Sequence, residues 1–264
     1  MTKLYGIGVG PGDSELLTMK AVKALQSLDI IYTPFAHKGQ RSVAEKIASP
    51  YFKADLVIKR RHFPMTLNLT EKEKSWKVIV SEIIDDVKAG HNVGFITLGD
   101  PSVYSTYSYL LDLIDKRIPV ETIAGISSFQ QIAAATSIPL VLDDELLEVI
   151  PATADMSLIE KAVDINDNVV LMKVATHWSE IFGLLASKKL LGQAIVISNA
   201  SMANQQSFKV AELTKETKLP YFSTLILKKK YQFWLTSDGV KQMKKVFKKH
   251  MVPKVSAIIG LCSL

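Results

Sequence analysis

Asp100 stands between a glycine and a proline at the end of an apolar run, Val93-Gly94-Phe95-Ile96-Thr97-Leu98-Gly99-Asp100-Pro101-Ser102-Val103-Tyr104. The run is short, β-branched and halted by a breaker, so it reads as a buried strand. Asp100 then has the position of a helix N-cap. Pro101, with no N–H to donate, suits the first turn after it. A carboxylate at the carboxyl end of a parallel strand also sits where open α/β sheets bind ligands. Capping alone would explain it equally well. Tyr104 and Tyr107 follow at i, i+3, which on a helix puts both rings on one face. They are the better pair to line a cleft, with core packing as the plainer use. A third group is Arg60-Arg61-His62-Phe63-Pro64-Met65-Thr66-Leu67-Asn68-Leu69-Thr70. It reads as a loop after a strand, too apolar for simple solvent. It either closes over an amphipathic ligand or packs under a neighbour.

Several chemistries have no support. Gly6-x-Gly8-x-Gly10-Pro11-Gly12 imitates a dinucleotide loop, but Pro11 falls where the third glycine belongs. The second predicted strand, Asp29 to Pro34, ends without an acid for a ribose. Pro11-Gly12 fits a tight turn in which Gly12 supplies the positive φ. The five histidines have no ligand spacing and Cys262 is the single cysteine, so neither a metal centre nor a disulfide framework is expected. There is no G-x-S-x-G elbow. Asp143-Asp144-Glu145 reads as a helix start or a solvated turn.

These groups need elements to hold them. The chain has 264 residues, 48% of them hydrophobic, and a net charge of +6. Its mean hydropathy is +0.17 and its pI about 9.1. No apolar run nears the ~18 residues of a membrane helix, and no secretory signal opens the chain. A cytoplasmic setting is expected. Lys228-Lys229-Lys230 and the lysines from Lys241 to Lys249 carry much of the excess charge. Both stretches read as solvated faces, without the aromatic residues of an RNA-stacking surface. Strands are predicted at Leu4–Val9, Ile30–Tyr32, Leu56–Ile58, Val93–Leu98 and Val120–Ile123. Helices are predicted near 15–28, 41–50, 71–89, 102–116 and 127–136. That alternation implies a parallel sheet covered on both faces. After Pro139 the rhythm changes. Strands at Glu148–Ile150, Val169–Met172, Ala194–Ser198, Ser207–Ala211 and Phe222–Leu227, with two or three helices, imply a mixed sheet. The expected architecture is an N-terminal α/β domain, 1–138, and a C-terminal α+β domain, 139–264.

Together these residues resemble the tetrapyrrole methylase family. The resemblance rests on the turn Gly8-Val9-Gly10-Pro11-Gly12-Asp13, the strand end Gly99-Asp100-Pro101, and the junction Ala124-Gly125-Ile126-Ser127-Ser128, where alanine replaces the usual proline. Within the family the chain is similar to the C20-methyltransferases of cobalamin biosynthesis, which act on precorrin-2 or its cobalt-loaded form. Phe63-Pro64-Met65-Thr66, the stretch Thr97 to Tyr109, Val170-Leu171-Met172-Lys173-Val174 and Pro220-Tyr221-Phe222-Ser223-Thr224-Leu225 carry that likeness. It covers about residues 3 to 230 and leaves 231–264 without a role. The resemblance implies two domains, a homodimer, and S-adenosylmethionine bound between the domains. It implies cofactor contacts from Pro11, Leu98, Gly99, Asp100, Val103, Tyr104, Ser127, Ser128, Met172, Ala200 and Thr224. No protein-bound metal, nucleic acid or membrane partner is expected. For a substrate with acetate and propionate arms, Arg60, Arg61 and Lys173 are the candidate partners, with Phe63 or Met65 on the ring face. Tyr104, Tyr107 or a substrate nitrogen are candidates to take the C20 proton. The alternatives are a methyltransferase of this fold acting on protein or RNA, or a non-catalytic tetrapyrrole carrier.

Overall fold

A computed structural model describes residues 2–35, 41–63 and 69–230. Met65, the lysines from Lys241 to Lys249 and the rest of 231–264 lie outside the described residues. Strands β1 (Leu4–Gly8), β2 (Ile30–Phe35), β3 (Val57–His62), β4 (Val93–Thr97) and β5 (Val120–Ile123) form one sheet. Its order is β3-β2-β4-β1-β5 and every neighbouring pair is parallel. The central strands are buried along most of their length, as a sheet covered on both faces requires.

Helices α1 (Met19–Ser27) and α2 (Val43–Ala48) supply Ala21, Leu25 and Ile47 to a core with Ile7, Ile31 and Ile96. Helices α3 (Leu69–Lys88) and α4 (Tyr107–Ile114) cover the other face, where Trp76, Ile83 and Leu110 meet Tyr32 and Phe95. Side chains of this size each contribute about 1.5–3 kcal/mol on burial. Thr18 and Ser42 start α1 and α2, each accepting a backbone N–H three residues on at 3.1 Å. The connections leaving β1 and β4 run to opposite sides of the sheet. Their adjacent carboxyl ends are therefore the topological switch point.

A second sheet holds β6 (Leu147–Pro151), β7 (Asn168–Met172), β8 (Ala194–Ser198), β9 (Gln206–Lys209) and β10 (Ser223–Lys228). Its order is β6-β7-β10-β8-β9, with β6 parallel to β7 and β10 antiparallel to both its neighbours. Helices α6 (Met156–Ile165) and α7 (Trp178–Ser187) pack on one face. The helix that covers the other face follows β5 of the first sheet. In α5 (Ser128–Thr136), Ile132 packs on Val170, Ile195, Ile197 and Ile226.

Some local expectations change. Pro101 does not begin a helix: α4 starts at Tyr107, and Tyr104 sits before it in left-handed backbone at φ +47°. Tyr104 and Tyr107 therefore do not share a helix face. The Arg60–Thr70 segment is not all loop, because β3 continues through Arg60 and Arg61 to His62. The positive φ of the Gly-Pro-Gly turn belongs to Gly10, at +76°, and not to Gly12. The lysine run at 228–230 is not simply solvated. Lys228 is fully buried, and its Nζ donates to the Leu140 carbonyl and Asn168 Oδ1 at 2.8 Å each. Glu145 of the acidic cluster lies 3.5 Å away, largely buried. Burial pulls the Lys228 amine below its ordinary value, and Glu145 opposes that pull.

Candidate active site

Three strand ends converge at the switch point. Gly10 and Gly99 form an antiparallel bridge, with Gly99 N–H donating to Gly10 O at 2.8 Å and Gly10 N–H to Gly99 O at 3.2 Å. Gly99 takes φ +71°, a conformation glycine adopts without cost. Asp100 ties this crossing to β5. One carboxylate oxygen accepts from Gly125 N–H at 2.9 Å, and the other accepts from Ser102 N–H at 2.8 Å and from the Ser102 hydroxyl. Asp100 is thus not a helix cap. It staples the ends of β4 and β5 and closes a turn over Ser102. A hydrogen bond to a charged acceptor contributes about 1.5–3 kcal/mol.

Glycine is needed here for close approach. A Cβ on Gly8 would lie 2.6 Å from Gly125 N and 2.7 Å from Gly99 O. Both neighbours are backbone, so neither can yield cheaply. Gly8→Ala is expected to cost about 2–3 kcal/mol, as overpacking does, and to lower the melting temperature by about 5–10 °C. Gly183→Ala is the control: its Cβ meets nothing within 4 Å in α7, so the melting temperature should hold or rise. Equal melting temperatures for the two variants would refute the close-approach argument.

The second sheet closes the site from above. A Cβ on Gly12 would meet Ala200 O at 2.7 Å, and Asp13 N–H donates to the Ser201 hydroxyl at 3.1 Å. The Ser128 and Thr224 hydroxyls lie 3.3 Å apart. Thr224 pairs with Met172 across β10 and β7. Tyr104 donates its hydroxyl to Val149 O of β6 at 2.7 Å, so its side chain spans the two sheets. Burial and then the Glu148 charge raise the Tyr104 pKa, which disfavours a phenolate.

Of the positions expected around a cofactor, these contacts tie Gly99, Asp100, Tyr104, Ser128, Met172, Ala200 and Thr224 to the junction of the two sheets. Pro11, Leu98, Gly99, Asp100, Val103 and Tyr104 come from the turns after β1 and β4. Ser127 and Ser128 begin α5, where the Gln130 side chain accepts from Ser127 N–H at 3.0 Å. Met172, Ala200 and Thr224 come from the second sheet.

Other candidates are placed elsewhere. Tyr107 is 1% exposed, stacks on Phe95 and bonds Thr122 Oγ1 at 2.9 Å. Its ring fills the space above Gly6, so it is a core residue with no face on the seam. Arg60 makes a bidentate pair with Glu45, including an Nη2–Oε1 contact of 2.6 Å, and Arg61 pairs with Glu82 at 2.6 Å. Phe63 is 6% exposed and meets Phe95 edge-on. These three serve the fold in the structure. Among the described residues of the substrate group, Lys173 alone stands beside the seam, one residue past Met172, at φ +60°. Ser201, Met202 and Val149 border the site without any motif to mark them. Val149 contributes a carbonyl, Ser201 a hydroxyl, and Met202 its side chain and backbone beside Gly12.

Residues 3–214 match the family model for tetrapyrrole (corrin/porphyrin) methylases. This chain belongs to that family. It is 37% identical over 232 residues to a cobalt-precorrin-2 C(20)-methyltransferase of Salmonella typhimurium, covering 88% of this chain and 98% of that one. It is 30% identical over 233 residues to a precorrin-2 C(20)-methyltransferase of Sinorhizobium sp, covering 85% and 94%. The fold matches a solved cobalt precorrin-4 methyltransferase with a TM-score of 0.67, at 19% identity, over 86% of this chain and 94% of that one. A uroporphyrin-III C-methyltransferase of Thermus thermophilus, solved with S-adenosylhomocysteine, matches with a TM-score of 0.63 at 16% identity, over 86% and 97%. Among the described residues, no helix is long and apolar enough to cross a membrane.

Proposed function

We propose that this chain transfers the methyl group of S-adenosylmethionine to C20 of precorrin-2 or of its cobalt-loaded form. The observation that carries this reading is the Asp100 staple that joins the end of β4 to Gly125 after β5. It accompanies 37% identity to a relative named for that reaction over nearly the whole of both chains. We take residues 1–138 and 139–264 as two units, since β1–β5 and β6–β10 divide there. The family resemblance also supports a homodimer, which sedimentation tests.

The seam fits the cofactor. A Cβ on Gly99 would have only Ile126 O near it, at 3.9 Å, so this side of the β4 end is open. A carboxylate next to a glycine-lined gap suits a cationic, amphipathic group. When bound, S-adenosylmethionine supplies an electrophilic methyl on a positive sulfur. The strand-end turns, Met172, Ala200 and Thr224 would hold it. The protein's own work is orientation, which is worth on the order of 7–11 kcal/mol for well-aligned reactants. The C20 bridge of a reduced tetrapyrrole is enamine-like and needs little activation.

Tyr104 acts here by position. Its hydroxyl proton is committed to Val149 O and its pKa is raised, so the C20 proton leaves to a substrate nitrogen or to water. Tyr104→Phe removes one neutral hydrogen bond, worth about 0.5–1.5 kcal/mol. The expected result is a three- to tenfold lower kcat, by roughly that energy, with an unchanged pH profile. A thousandfold fall with a lost basic limb would make Tyr104 the base instead.

The direct test offers labelled S-adenosylmethionine with precorrin-2 and, separately, with cobalt-precorrin-2. Label in either product supports the reading, and the faster of the two identifies the substrate. Binding of the methyl donor with no label in either tetrapyrrole would overturn the C20 assignment.

A further inference from the structure

Lys228 lies at the opposite end of β10 from the seam. The strand meets the seam at Thr224 and ends at Lys228, about 13 Å away at the usual strand rise. Helix α5 packs along it and advances about 12 Å from Ser128 to Thr136. Ser128 meets Thr224 with 3.3 Å between their hydroxyls, and Ile132, one helical turn on, shares a core cluster with Ile226. Helix and strand therefore keep step. The connector after α5 then reaches Leu140, whose carbonyl accepts from Lys228 Nζ at 2.8 Å. It turns at Asp143, left-handed at φ +46°, where Glu145 N–H donates to Leu142 O at 3.0 Å. The Glu145 carboxylate closes the same turn by accepting from Leu142 N–H at 3.1 Å, and it also accepts from Asn168 Nδ2 at 2.9 Å. It stands 3.5 Å from Lys228 Nζ, which donates in addition to Asn168 Oδ1 at 2.8 Å. Lys228 and Asn168 are fully buried, so this knot is largely withdrawn from water.

A buried ammonium is a costly way to hold a connector, since well-packed apolar side chains of similar volume often hold a fold as well or better. What the ammonium adds is direction. Its acceptors on the connector and on β7 fix where Leu140 sits, whereas an apolar side chain would let the connector slide along the sheet. We propose that Lys228, supported by Glu145 and Asn168, is a positioning residue that sets the register of α5 on β10 and so places Ser127 and Ser128 at the seam. Helix α5 is then a strut pinned at both ends of one strand, by the Ser128–Thr224 contact at the seam and by Lys228 at the far pole. Its effect on ligand binding rests on the S-adenosylmethionine reading of the seam.

The test compares Lys228→Met, the double variant Lys228→Met/Glu145→Leu, and Lys230→Gln as control. Lys230 makes an exposed pair with Asp167, which contributes little. The double variant removes both buried charges at once, so it stays folded where the single variant, with Glu145 stranded, does not. Affinity for S-adenosylhomocysteine is read by calorimetry and backbone protection by hydrogen exchange, both well below the melting temperature. Both Lys228 variants that fold are expected to bind about three- to tenfold more weakly, as for one neutral hydrogen bond lost at the seam. Exchange should quicken in α5 while β8 stays protected. The control should match wild type in both measurements. Native affinity in the folded double variant would overturn the strut and leave the proposed function standing. Exchange that quickens equally in α5 and β8 would also overturn it, because that marks a general loss of stability. If wild type itself bound no S-adenosylhomocysteine, the cofactor reading would fall, and the contrast between α5 and β8 would still decide the strut.

Discussion

Arg60→Ala is expected to destabilise the fold by about 2–3 kcal/mol and to leave the substrate KM near native. Glu45 is 2% exposed in its side chain, and its main partner is the Arg60 guanidinium. Removing one member of a fully buried pair costs about 3–5 kcal/mol, because the other charge is left stranded. The figure is smaller here. Arg60 is 41% exposed, Arg41 remains 3.6 Å from Glu45, and Thr33 still donates to it at 3.0 Å. The melting temperature should fall by about 5–10 °C. The pH dependence gives a second check. Burial alone would raise the Glu45 pKa, but Arg60 and Thr33 outweigh it and hold the group below its ordinary value. That contribution is complete above the ordinary glutamate pKa and is lost as pH falls through the folded value. In the variant, burial dominates and favours protonated Glu45. The stability gap between wild type and variant should therefore be widest near neutrality and shrink on acidification. A native melting temperature with a raised KM would return Arg60 to the substrate.

Asp100→Ala should weaken binding of S-adenosylmethionine by about ten- to a hundredfold while the protein stays folded. The carboxylate uses both oxygens on backbone N–H groups of two strand ends. Losing those charge-assisted bonds at about 1.5–3 kcal/mol frees the Gly99–Gly125 crossing that shapes the seam. Asparagine is not neutral here. One of its two terminal atoms is a donor, so either Gly125 or Ser102 would face N–H with N–H. Asp100→Asn is expected to lose about tenfold, a single bond's worth. Calorimetry with both S-adenosylmethionine and S-adenosylhomocysteine separates shape from charge. A larger loss for the cationic ligand than for the neutral one marks a direct electrostatic role. If Asp100→Ala binds both as wild type does and loses only about 1 kcal/mol of stability, Asp100 is a turn residue only.

The strands were legible because their signal is local. Ala194–Ser198 is an apolar run and Val120–Ile123 a β-branched stretch just after Pro119, and the structure places strands at those residues. The parallel order of the first sheet followed from alternation with helices. Asp100 was found by its place after a strand, but its partner was not. Gly125 lies 25 residues on, and its contribution is a backbone N–H that any residue owns. The Arg60–Arg61 pair misled for a related reason. A basic dipeptide near aromatics suits a ligand or a buried acid equally, and Glu45 and Glu82 come from two other helices. Tyr107 and Lys228 misled because a polar tip says nothing about depth. Each is buried by strand or helix packing, with its polar atom satisfied at long range.

Helix α5 has a consequence for how this chain divides. It follows the last strand of the first sheet, yet it lays Ile132 against Val170, Ile195, Ile197 and Ile226 of the second. A cut in the connector after Ile138 would leave one fragment with an uncovered oily helix and the other with a bare sheet face. The N-terminal fragment would carry the lid of the other's interior. Shuffling of the two units between relatives is thereby constrained: an exchange that preserves every contact within each sheet still fails unless α5 travels with the second one.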